Sequence, residues 1–268
     1  MIGVGSFSRG YGYRFDLSGY FPRAIKTICL ACVAVFLLQT FSRLIWGAEG
    51  WLFWLHYFGL SPRAMLRGVG AFPLPALWQP FTYLFLHENV LHILFNLLYL
   101  AMFGADLEHM WGAKKFYTYF FLCGVGAGLT DFTVRLILDP HLQGVATIPT
   151  IGASGAVYGV LLACAVIMPH RQVWFFPLPV TISMRLLVIV MGSIEFFLTI
   201  GATGDGVSHV CHLGGMLAGY LYLRRGTHLY NFRNYLSDWK RRRLRKKFDV
   251  YVREHREKPP SDPDNWVN

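Results

Sequence analysis

Charged side chains are scarce in this sequence. Aspartate, glutamate, lysine and arginine make up 15% of its 268 residues, whereas a soluble domain carries roughly 25%. Hydrophobic residues make up 54%, and the mean hydropathy is +0.38. This composition excludes a water-soluble domain over most of the chain. It predicts a membrane protein with several spanning helices of about 20 residues each.

Cysteine is also sparse, and its pattern excludes a simple disulfide framework. The five cysteines all lie in apolar segments, and an odd number leaves at least one of them unpaired. Cys29 and Cys32 form a C-x-x-C pair inside an apolar run, but no second pair accompanies it, so we expect no metal or redox role. We predict buried free thiols at all five positions. They are Cys29, Cys32, Cys123, Cys164 and Cys211.

A cleavable leader is likewise not expected. The first apolar run begins near Ala24, behind Arg9, Arg14 and Arg23, and it is long enough to remain in the membrane as a span. With the apolar runs that follow, it predicts an all-α, polytopic membrane protein built as a bundle of six transmembrane helices. The predicted spans are 24–45, 81–103, 116–138, 151–168, 180–200 and 207–223.

The segments between and around these spans define the expected domain organisation. The connection 46–80 is rich in tryptophan, tyrosine and phenylalanine, which settle at membrane–water interfaces, so we expect it to lie half-sunk in the outer leaflet. With the spans it forms one membrane domain, residues 24–226. A short segment, 1–23, and a basic tail, 227–268, complete the chain.

The distribution of basic residues predicts the orientation. The formal net charge is +10, and the run Lys240–Lys247 supplies much of it. Because basic residues beside spans mark the cytoplasmic side, and six spans place both termini on one side, we expect cytoplasmic termini. The tail is an ordinary cytoplasmic flank, so nucleic acid is not an expected partner. Our hypothesis for it is binding to anionic lipid, where each basic residue gains about 1 kcal/mol.

The run 151–168 contains a serine in an unusual setting. Ser154 stands between Gly152 and Gly155, which clear bulk from around its hydroxyl. His212 lies near the start of the last predicted span, where a histidine is costly enough to need a functional reason. Serine becomes a nucleophile when a base takes its proton, and histidine is the usual base. Both residues lie near the outer face, so we expect them to meet as nucleophile and base.

Neighbouring residues support this pairing. Tyr158 follows Ser154 by four residues and shares its helix face. Its ring would either pack against the imidazole of His212 and hold its orientation, or serve only as a packing aromatic. Both helices also carry G-x-x-x-G, a pattern that lets backbones approach. The predicted helix-packing residues are Gly152, Gly155, Gly159, Gly215 and Gly219.

Acyl transfer also needs hydrogen-bond donors for the developing oxyanion. His92 and Asn96 are four residues apart and share one face of the second predicted span. With the backbone N–H of Ser154, they form the predicted oxyanion hole. A structural hydrogen bond between helices is the alternative explanation for Asn96.

No carboxylate is expected at the site. Asp205 falls in the turn before the last span, and Glu195 is an intramembrane acid whose role the sequence leaves unassigned. We therefore expect a Ser–His dyad without a third member. His209 precedes His212 by three residues, shares its face and is the second candidate base.

We also expect no metal and no other cofactor. His87 and His92 flank a motif that looks like H-E-x-x-H but has one residue too many, so on a helix their rings would diverge by about 140°. His209, Cys211 and His212 offer ligand atoms, but no further cluster completes a site.

Taken in order, these motifs resemble those of the rhomboid family of intramembrane serine proteases. The resemblance implies that Ser154 is the nucleophile, that His212 is the general base, and that His92 and Asn96 serve the oxyanion. It also implies a membrane-embedded loop at 46–80 and a mobile gate at the fifth span. The motifs are His87-x4-His92-x3-Asn96, Gly104-x2-Leu107-Glu108-x3-Gly112, Gly152-Ala-Ser-Gly155 with Tyr158, and His212-x2-Gly215-x3-Gly219.

The resemblance implies cleavage of transmembrane protein substrates near their outer ends, in a multi-pass protein of the bacterial inner membrane. Trp78-Gln79 departs from the Trp-Arg that many members carry. Two alternatives remain open: an inactive rhomboid-like protein that binds membrane clients, and a small transporter with a polar path through His87, His92 and Glu195. The expected partners are transmembrane substrates and membrane lipid.

Overall fold

The computed structural model describes residues 21–70, 74–174, 180–201 and 208–225. The predictions for the first twenty residues, for the turn that contains Asp205 and for the basic tail lie outside these residues. The described residues up to Tyr220 belong to one compact unit, Met1–Tyr220, which contains every candidate site residue. Residues 221–225 belong to a second unit, Leu221–Asn268.

The described elements are helical apart from one small hairpin. Strands β1 and β2 pair antiparallel, with Val173 opposite Ile182. Short 3₁₀ turns occur at Tyr83–Phe85 and Val145–Thr147. In chain order the elements are α1 (Arg23–Phe58), α2 (Pro62–Arg67), α3 (Gln79–Thr82), α4 (Val90–Trp111), α5 (Ala113–Leu138), α6 (Ser154–Ile167), β1 (Gln172–Trp174), β2 (Thr181–Ser183), α7 (Met184–Gly201) and α8 (209–225).

Four of the described helices, α1, α4, α5 and α7, are long and apolar enough to cross a membrane. Their outer faces carry bare hydrophobic side chains: Leu44 is 78% exposed, Ile137 73% and Phe197 70%. Apolar surface on this scale is not stable in water and fits a lipid environment. Helix α6 is apolar but has only 14 residues, a length of about 21 Å.

Helix α1 covers both the first predicted span and the start of the predicted interfacial connection. It bends at Gly47, whose φ of 60° and ψ of −135° are not helical. Such a backbone conformation is strained for residues with a Cβ atom, which explains why glycine stands here. The bend separates the apolar arm from the aromatic-rich arm, so the sequence placed this boundary within two residues.

The second predicted span begins later than expected. The apolar run predicts a start at Phe81, but the long helix α4 begins at Val90. The side chain of Asn89 caps α4 by accepting a hydrogen bond from the backbone N–H of His92 at 2.9 Å. Hydropathy alone did not reveal this boundary because the stretch from Phe81 to Leu86 is also largely apolar. His92 therefore lies in the first turn of α4, and not eleven residues into a helix that begins at Phe81.

Two buried side chains anchor the chain around this bundle. Glu108 accepts hydrogen bonds from the backbone N–H groups of Ala24 at 2.7 Å and Ile25 at 2.9 Å, and so caps the start of α1 from the end of α4. Gln79 accepts from the N–H of Ser61 at 3.2 Å and donates to the carbonyl of His56 at 2.9 Å. Gln79 thus fastens the connection that follows α1.

Helix α6 packs against α4, α5 and α7. Its inward face is built from small residues, and Gly155, Ala156, Gly159 and Ala163 are buried there. The prediction of free thiols is confirmed, since all five cysteines are unpaired and four are buried, with Cys29 partly exposed. The first residue of α6 is Ser154, so the fold places the candidate nucleophile at a helix N-terminus.

Candidate active site

The turn before α6 presents the hydroxyl of Ser154. Gly152 has a φ of 117°, a region that disfavours residues with a Cβ atom. Its N–H donates to the carbonyl of Tyr83 at 2.9 Å, and Thr150 pairs with Leu60 through two backbone hydrogen bonds of 2.8 and 2.9 Å. The turn is therefore held by two neighbouring segments. It places Ser154 at the positive end of the α6 dipole, where negative charge is stabilised.

Ser154 and His212 meet as the sequence predicted. The Oγ of Ser154 lies 2.7 Å from the Nε2 of His212 on α8, which is a hydrogen-bond distance. For the hydroxyl to donate, Nε2 must hold a lone pair, so the ring proton must sit on Nδ1. His212 is 8% exposed. A buried serine–histidine pair in this geometry can carry out nucleophilic chemistry.

The ring of Tyr158 stacks on the imidazole of His212. The two ring centroids are 4.4 Å apart and the planes are inclined by only 11°. Of the two readings left open by the sequence, this geometry matches the one in which Tyr158 packs against His212. The hydroxyl of Tyr158 donates a hydrogen bond to Glu195 on α7. One aromatic side chain therefore links α6, α7 and α8 at the candidate site.

Glycines allow α6 and α8 to approach closely. A Cβ atom on Gly215 would overlap the carbonyl oxygen of Gly155, and one on Gly159 would lie 3.1 Å from the carbonyl oxygen of Gly215. A Cβ atom on Gly219 would lie 3.2 Å from the sulfur of Cys123 on α5. Among these glycines, backbone is in direct contact with backbone only between Gly215 and Gly155, so this contact limits the distance between Ser154 and His212. Added Cβ atoms on Gly159 and Gly219 would first meet side chains of α5.

The two predicted oxyanion residues lie beside Ser154. A Cβ atom on Gly152 would lie 2.7 Å from the Nε2 of His92 and 3.8 Å from the Oγ of Ser154. His92 thus points its Nε2 towards the turn that carries the serine. The Nδ2 of Asn96 donates to the carbonyl of His92 at 3.0 Å, within its own helix. This bond orients the Asn96 side chain without a partner on another helix.

An open cavity of about 500 Å³ connects these groups. It lies between α4, α6, α7 and α8. Its lining includes apolar residues, such as Phe95 and Met191, beside the polar candidate site residues. Ligand pockets commonly combine a mostly apolar lining with a few polar groups in this way. The polar residues in the wall are His92, Asn96, Ser154, Tyr158 and His212.

A buried aspartate connects the segments that precede Ser154 and His212. Asp131 on α5 is 2% exposed. Its carboxylate accepts hydrogen bonds from the hydroxyl of Thr150 at 2.7 Å and from the hydroxyl of Ser208. It also pairs with Arg135, whose Nε lies 2.9 and 3.0 Å from the two carboxylate oxygens. Thr150 begins the turn that leads to Ser154, and Ser208 immediately precedes α8. Sequence reasoning did not single out Asp131.

Sequence reasoning also expected no carboxylate near the pair, and this expectation is wrong. The Oε2 of Glu195 lies 2.9 Å from the Nδ1 of His212. The same oxygen lies 2.6 Å from the Nδ1 of His209, the residue considered as a second base. The structure thus brings His209 to the carboxylate, while His212 contacts the serine. The one available signal was an acid inside an apolar helix, which is costly without a partner.

Glu195, His209 and His212 also form the one group of three metal-ligating side chains found among the described residues. Their ligand atoms lie within 4.8 Å of one another, and all three residues are buried. The 2.6 Å separation between His209 and Glu195 is a hydrogen-bond distance, shorter than the roughly 3.3 Å between two ligands on one tetrahedral ion. The group could hold an ion only after the side chains move apart.

The other histidine pair is not arranged as a helical metal motif. His87 lies before α4 and His92 lies in its first turn. Their ring centroids are 5.1 Å apart and the planes are inclined by 72°. The Nδ1 of His87 lies 3.2 Å from the carbonyl of Phe85, to which it can donate. This contact positions His87 behind His92.

Comparison with known proteins agrees with these observations. Residues 75–226 match the family model described as Rhomboid domain. The chain is 27% identical to the rhomboid protease GluP of Bacillus subtilis over 143 residues. This match covers 53% of the chain and 25% of that protein. The chain is also 30% identical to the mitochondrial rhomboid protein 1 of Saccharomyces cerevisiae over 146 residues. This second match covers 52% of the chain and 38% of the yeast protein.

A further relative carries a different description. Over 158 residues, 58% of this chain and 42% of the relative, the chain is 30% identical to the inactive rhomboid-related protein 2 of Caenorhabditis elegans. The chain therefore spans between a quarter and about two fifths of the length of these three relatives. The matched region contains all the candidate site residues, which run from His92 to Gly219.

Proposed function

The chain belongs to the rhomboid family of polytopic, helical integral membrane proteins, and on this premise we propose that it is an intramembrane serine endopeptidase. The observation that carries the proposal is the 2.7 Å contact between the Oγ of Ser154 and the Nε2 of His212. The stacked ring of Tyr158 holds the imidazole in this position. Both residues needed for acyl transfer are thus present and in contact.

The proposed reaction begins when His212 takes the proton of Ser154 as the oxygen attacks a substrate carbonyl. The backbone N–H of Ser154, the Nε2 of His92 and the amide of Asn96 stabilise the resulting oxyanion. His212 then gives its proton to the leaving amine, and an acyl-enzyme remains on Ser154. Water enters through the cavity, loses a proton to His212 and attacks the acyl carbonyl. The second product leaves as the bond to Ser154 breaks and His212 returns the proton to the Oγ of Ser154.

The cavity supports transmembrane proteins as the substrate class. Helices α6 and α7 form part of its wall, and the outer faces of α4 and α7 carry exposed apolar side chains. A substrate helix moving within the lipid would meet these faces first. Only a segment that leaves its helix can present a carbonyl to Ser154, because helical carbonyls are hydrogen-bonded internally. We therefore propose cleavage of transmembrane substrates at helix-destabilising sequences near their outer ends.

For topology and location we propose cytoplasmic termini and a bacterial inner membrane. The orientation is supported by Lys114 and Lys115 at the start of α5 and by Arg171 after α6, which the positive-inside rule places on the same side as the ends of the chain. Surrounding lipid is the other proposed partner. Protease protection of tags placed on loops in intact and opened vesicles tests this topology.

The second candidate function is that of an inactive relative which binds membrane proteins without cleaving them. The relation to an inactive rhomboid-related protein is the observation that favours it. The two candidates differ at Ser154, because a client-binding protein has no need of a serine hydroxyl held against an imidazole. The serine–histidine contact leads us to favour the protease.

The test uses the full chain reconstituted in liposomes with a transmembrane test substrate. We expect cleavage and labelling by a fluorophosphonate, which reacts with activated serines. Ser154→Ala and His212→Ala should both lose cleavage by at least about 1,000-fold, and Ser154→Ala should lose labelling. The matched control is Ser193→Ala, which removes a serine of α7 that lines a different cavity. Cleavage that survives Ser154→Ala in a folded sample would refute the proposal.

A further inference from the structure

Glu195 lies at the centre of a polar cluster that a Ser–His dyad does not require. It is 6% exposed on a helix that is otherwise strongly apolar. Its Oε1 accepts the hydroxyl of Tyr158, and its Oε2 lies 2.6 Å from the Nδ1 of His209 and 2.9 Å from the Nδ1 of His212. A buried carboxylate needs such partners, because its desolvation without them is strongly unfavourable.

We propose that Glu195 is the positioning residue of the active site, a third member behind Ser154 and His212. The inference rests on the proposed function. The ionised carboxylate of Glu195 can accept hydrogen bonds but cannot donate them, and its negative charge favours the tautomer of His212 with its proton on Nδ1. That tautomer leaves the lone pair on Nε2, where the hydroxyl of Ser154 lies. The negative charge also stabilises the imidazolium that forms when His212 takes the serine proton.

The direction of the contact defines how Glu195 acts. The oxygen lies 2.9 Å from the Nδ1 of His212, yet that nitrogen has no hydrogen bond of acceptable geometry. The carboxylate is close to the ring but off the line of the N–H bond. At this distance the electrostatic attraction persists, because it falls slowly with angle whereas a hydrogen bond weakens steeply. Glu195 thus acts on His212 mainly through its charge.

Tyr158 and His209 hold the carboxylate in place. The Tyr158 hydroxyl binds the oxygen that faces away from the two histidines, and its ring packs flat on His212. His209 binds the same oxygen that faces His212. The carboxylate therefore cannot rotate without losing a partner. These contacts assign His209 to the support of Glu195 instead of to proton transfer with Ser154.

Two other roles would use the same residues. In a purely structural role, Glu195 joins α7 to α6 and α8, and a neutral amide of the same size would serve nearly as well. In a metal site, Glu195 would bind an ion together with His209 and His212. The hydrogen-bond distances within the cluster argue against a resident ion. The charge and the acceptor-only chemistry of Glu195 separate the positioning role from the structural one.

The first experiment measures kcat and KM for cleavage of a transmembrane substrate by Glu195→Gln, Glu195→Asp and the unaltered chain in liposomes. We expect Glu195→Gln to lower kcat by about 10-fold or more. The same carboxylate-to-amide change behind the histidine of a hydrogen-bonded Ser–His–Asp triad costs about 10,000-fold. KM should stay within about twofold, because Glu195 does not touch the substrate. Glu195→Asp keeps the charge and should recover part of kcat.

The control is Thr199→Val on the same helix. The Thr199 hydroxyl donates to the backbone carbonyl of Glu195 at 2.8 Å, so this change disturbs α7 locally but leaves the carboxylate intact. We expect kcat within about twofold of the unaltered chain. A Glu195→Gln chain that matches Thr199→Val in kcat would overturn the proposal and support a structural role.

A second readout does not depend on protease activity. Nitrogen NMR of the ¹⁵N-histidine-labelled chain reports which ring nitrogen of His212 carries the proton, with the His212→Gln spectrum identifying its signals. We expect the proton on Nδ1 in the unaltered chain, with a measurable population on Nε2 in Glu195→Gln. An Nε2-protonated ring in the unaltered chain would overturn the proposal. If this tautomer test succeeds but no cleavage occurs, the proposed function fails while the positioning role stands.

Metal analysis of the purified chain decides the remaining alternative. We expect less than 0.1 equivalent of zinc per chain, and no change in cleavage rate after treatment with EDTA. About one equivalent of zinc that is lost in Glu195→Gln would identify a metal site and overturn the positioning role.

Discussion

The α-carbon of Gly215 lies against the backbone of Gly155, so closely that a methyl group on Gly215 would overlap the carbonyl oxygen of Gly155. Backbone atoms cannot move aside as the end of a flexible side chain can. This single contact sets the separation of α6 and α8. It therefore sets the distance between Ser154, one residue before Gly155, and His212, three residues before Gly215.

We expect Gly215→Ala to force these two helices apart. Overpacking at such a site typically costs about 1–3 kcal/mol of stability, and the serine–histidine distance should grow with it. Cleavage should therefore fall by more than the loss of folded protein explains. Thermal unfolding in detergent and cleavage by the folded fraction measure the two effects.

Gly192→Ala on α7 is the matched control for Gly215→Ala. There the nearest atom to an added Cβ is the terminal methyl of Met216, 3.2 Å away, and a methionine side chain can adjust. We expect stability and cleavage to stay near those of the unaltered chain. Equal effects of the two substitutions would show that the Gly215 contact does not control the site.

Asp131→Asn tests the connection between the segments that precede the serine and the histidine. The carboxylate holds Thr150, Ser208 and Arg135 at once. An amide offers one acceptor oxygen and leaves the guanidinium of Arg135 without its charge partner. Because hydrogen bonds to charged groups contribute about 1.5–3 kcal/mol, we expect a loss of about 2 kcal/mol in unfolding free energy and a lower cleavage rate.

Asp106→Asn provides the comparison, since it also removes one half of an aspartate–arginine pair. The side chain of Asp106 is 40% exposed and pairs with Arg171, whereas that of Asp131 is 2% exposed. Exposed ion pairs contribute about 0–1 kcal/mol. We expect Asp106→Asn to change the unfolding free energy by less than half as much as Asp131→Asn does. A larger loss of unfolding free energy in Asp106→Asn than in Asp131→Asn would contradict the role given to Asp131.

Substitutions of Tyr158 separate stacking from hydrogen bonding. Tyr158→Phe keeps the ring on His212 and removes only the bond to Glu195, whereas Tyr158→Leu removes both. Aromatic pairs contribute about 0.5–1.5 kcal/mol, so we expect Tyr158→Leu to lower kcat about 3- to 10-fold below Tyr158→Phe. Steady-state cleavage of one substrate by both variants measures this difference. Equal kcat values would show that the stacked ring does not contribute.

Glu108→Gln tests an anchor far from the site. The two oxygens of Glu108 accept the first backbone N–H groups of α1, and an amide can accept only one of them. Loss of a charged cap costs about 1–2 kcal/mol. We expect this loss in thermal unfolding, with kcat of the folded protein unchanged. Glu49→Gln, at an exposed position of the same helix, should leave stability within about 0.5 kcal/mol.

Hydropathy and residue order predicted much of the fold and part of the site. Apolar runs located the long helices, because a span of fixed thickness demands a minimum length. The meeting of Ser154 and His212 was predicted from their chemistry, from the glycines beside Ser154 and from matching depths, since both residues lie a short way into helices that enter from the same face. A coarse argument was sufficient because a helix advances only 1.5 Å per residue.

Other features depend on contacts that a single sequence does not reveal. The start of α4 is set by the cap at Asn89, although the largely apolar stretch from Phe81 to Leu86 predicts that the helix begins earlier. Glu195 reaches His212 from a different helix, 17 positions earlier in the chain, and no periodicity fixes the rotation of one helix against another. The sequence also does not reveal that α1 bends at Gly47, because most glycines in apolar helices leave the helix straight.

The shortness of α6 has a consequence for the surrounding lipid. Its 14 residues cover about 21 Å, whereas the hydrocarbon layer of a typical bilayer is about 30 Å thick. The non-helical turn before Ser154 takes up part of the difference, and polar backbone in that turn is tolerated only where water or protein covers it. A bilayer can reduce such a hydrophobic mismatch by thinning locally at modest cost. The length of the lipid acyl chains therefore sets how deeply Ser154 lies in the membrane, because longer chains make a thicker membrane that buries the serine further.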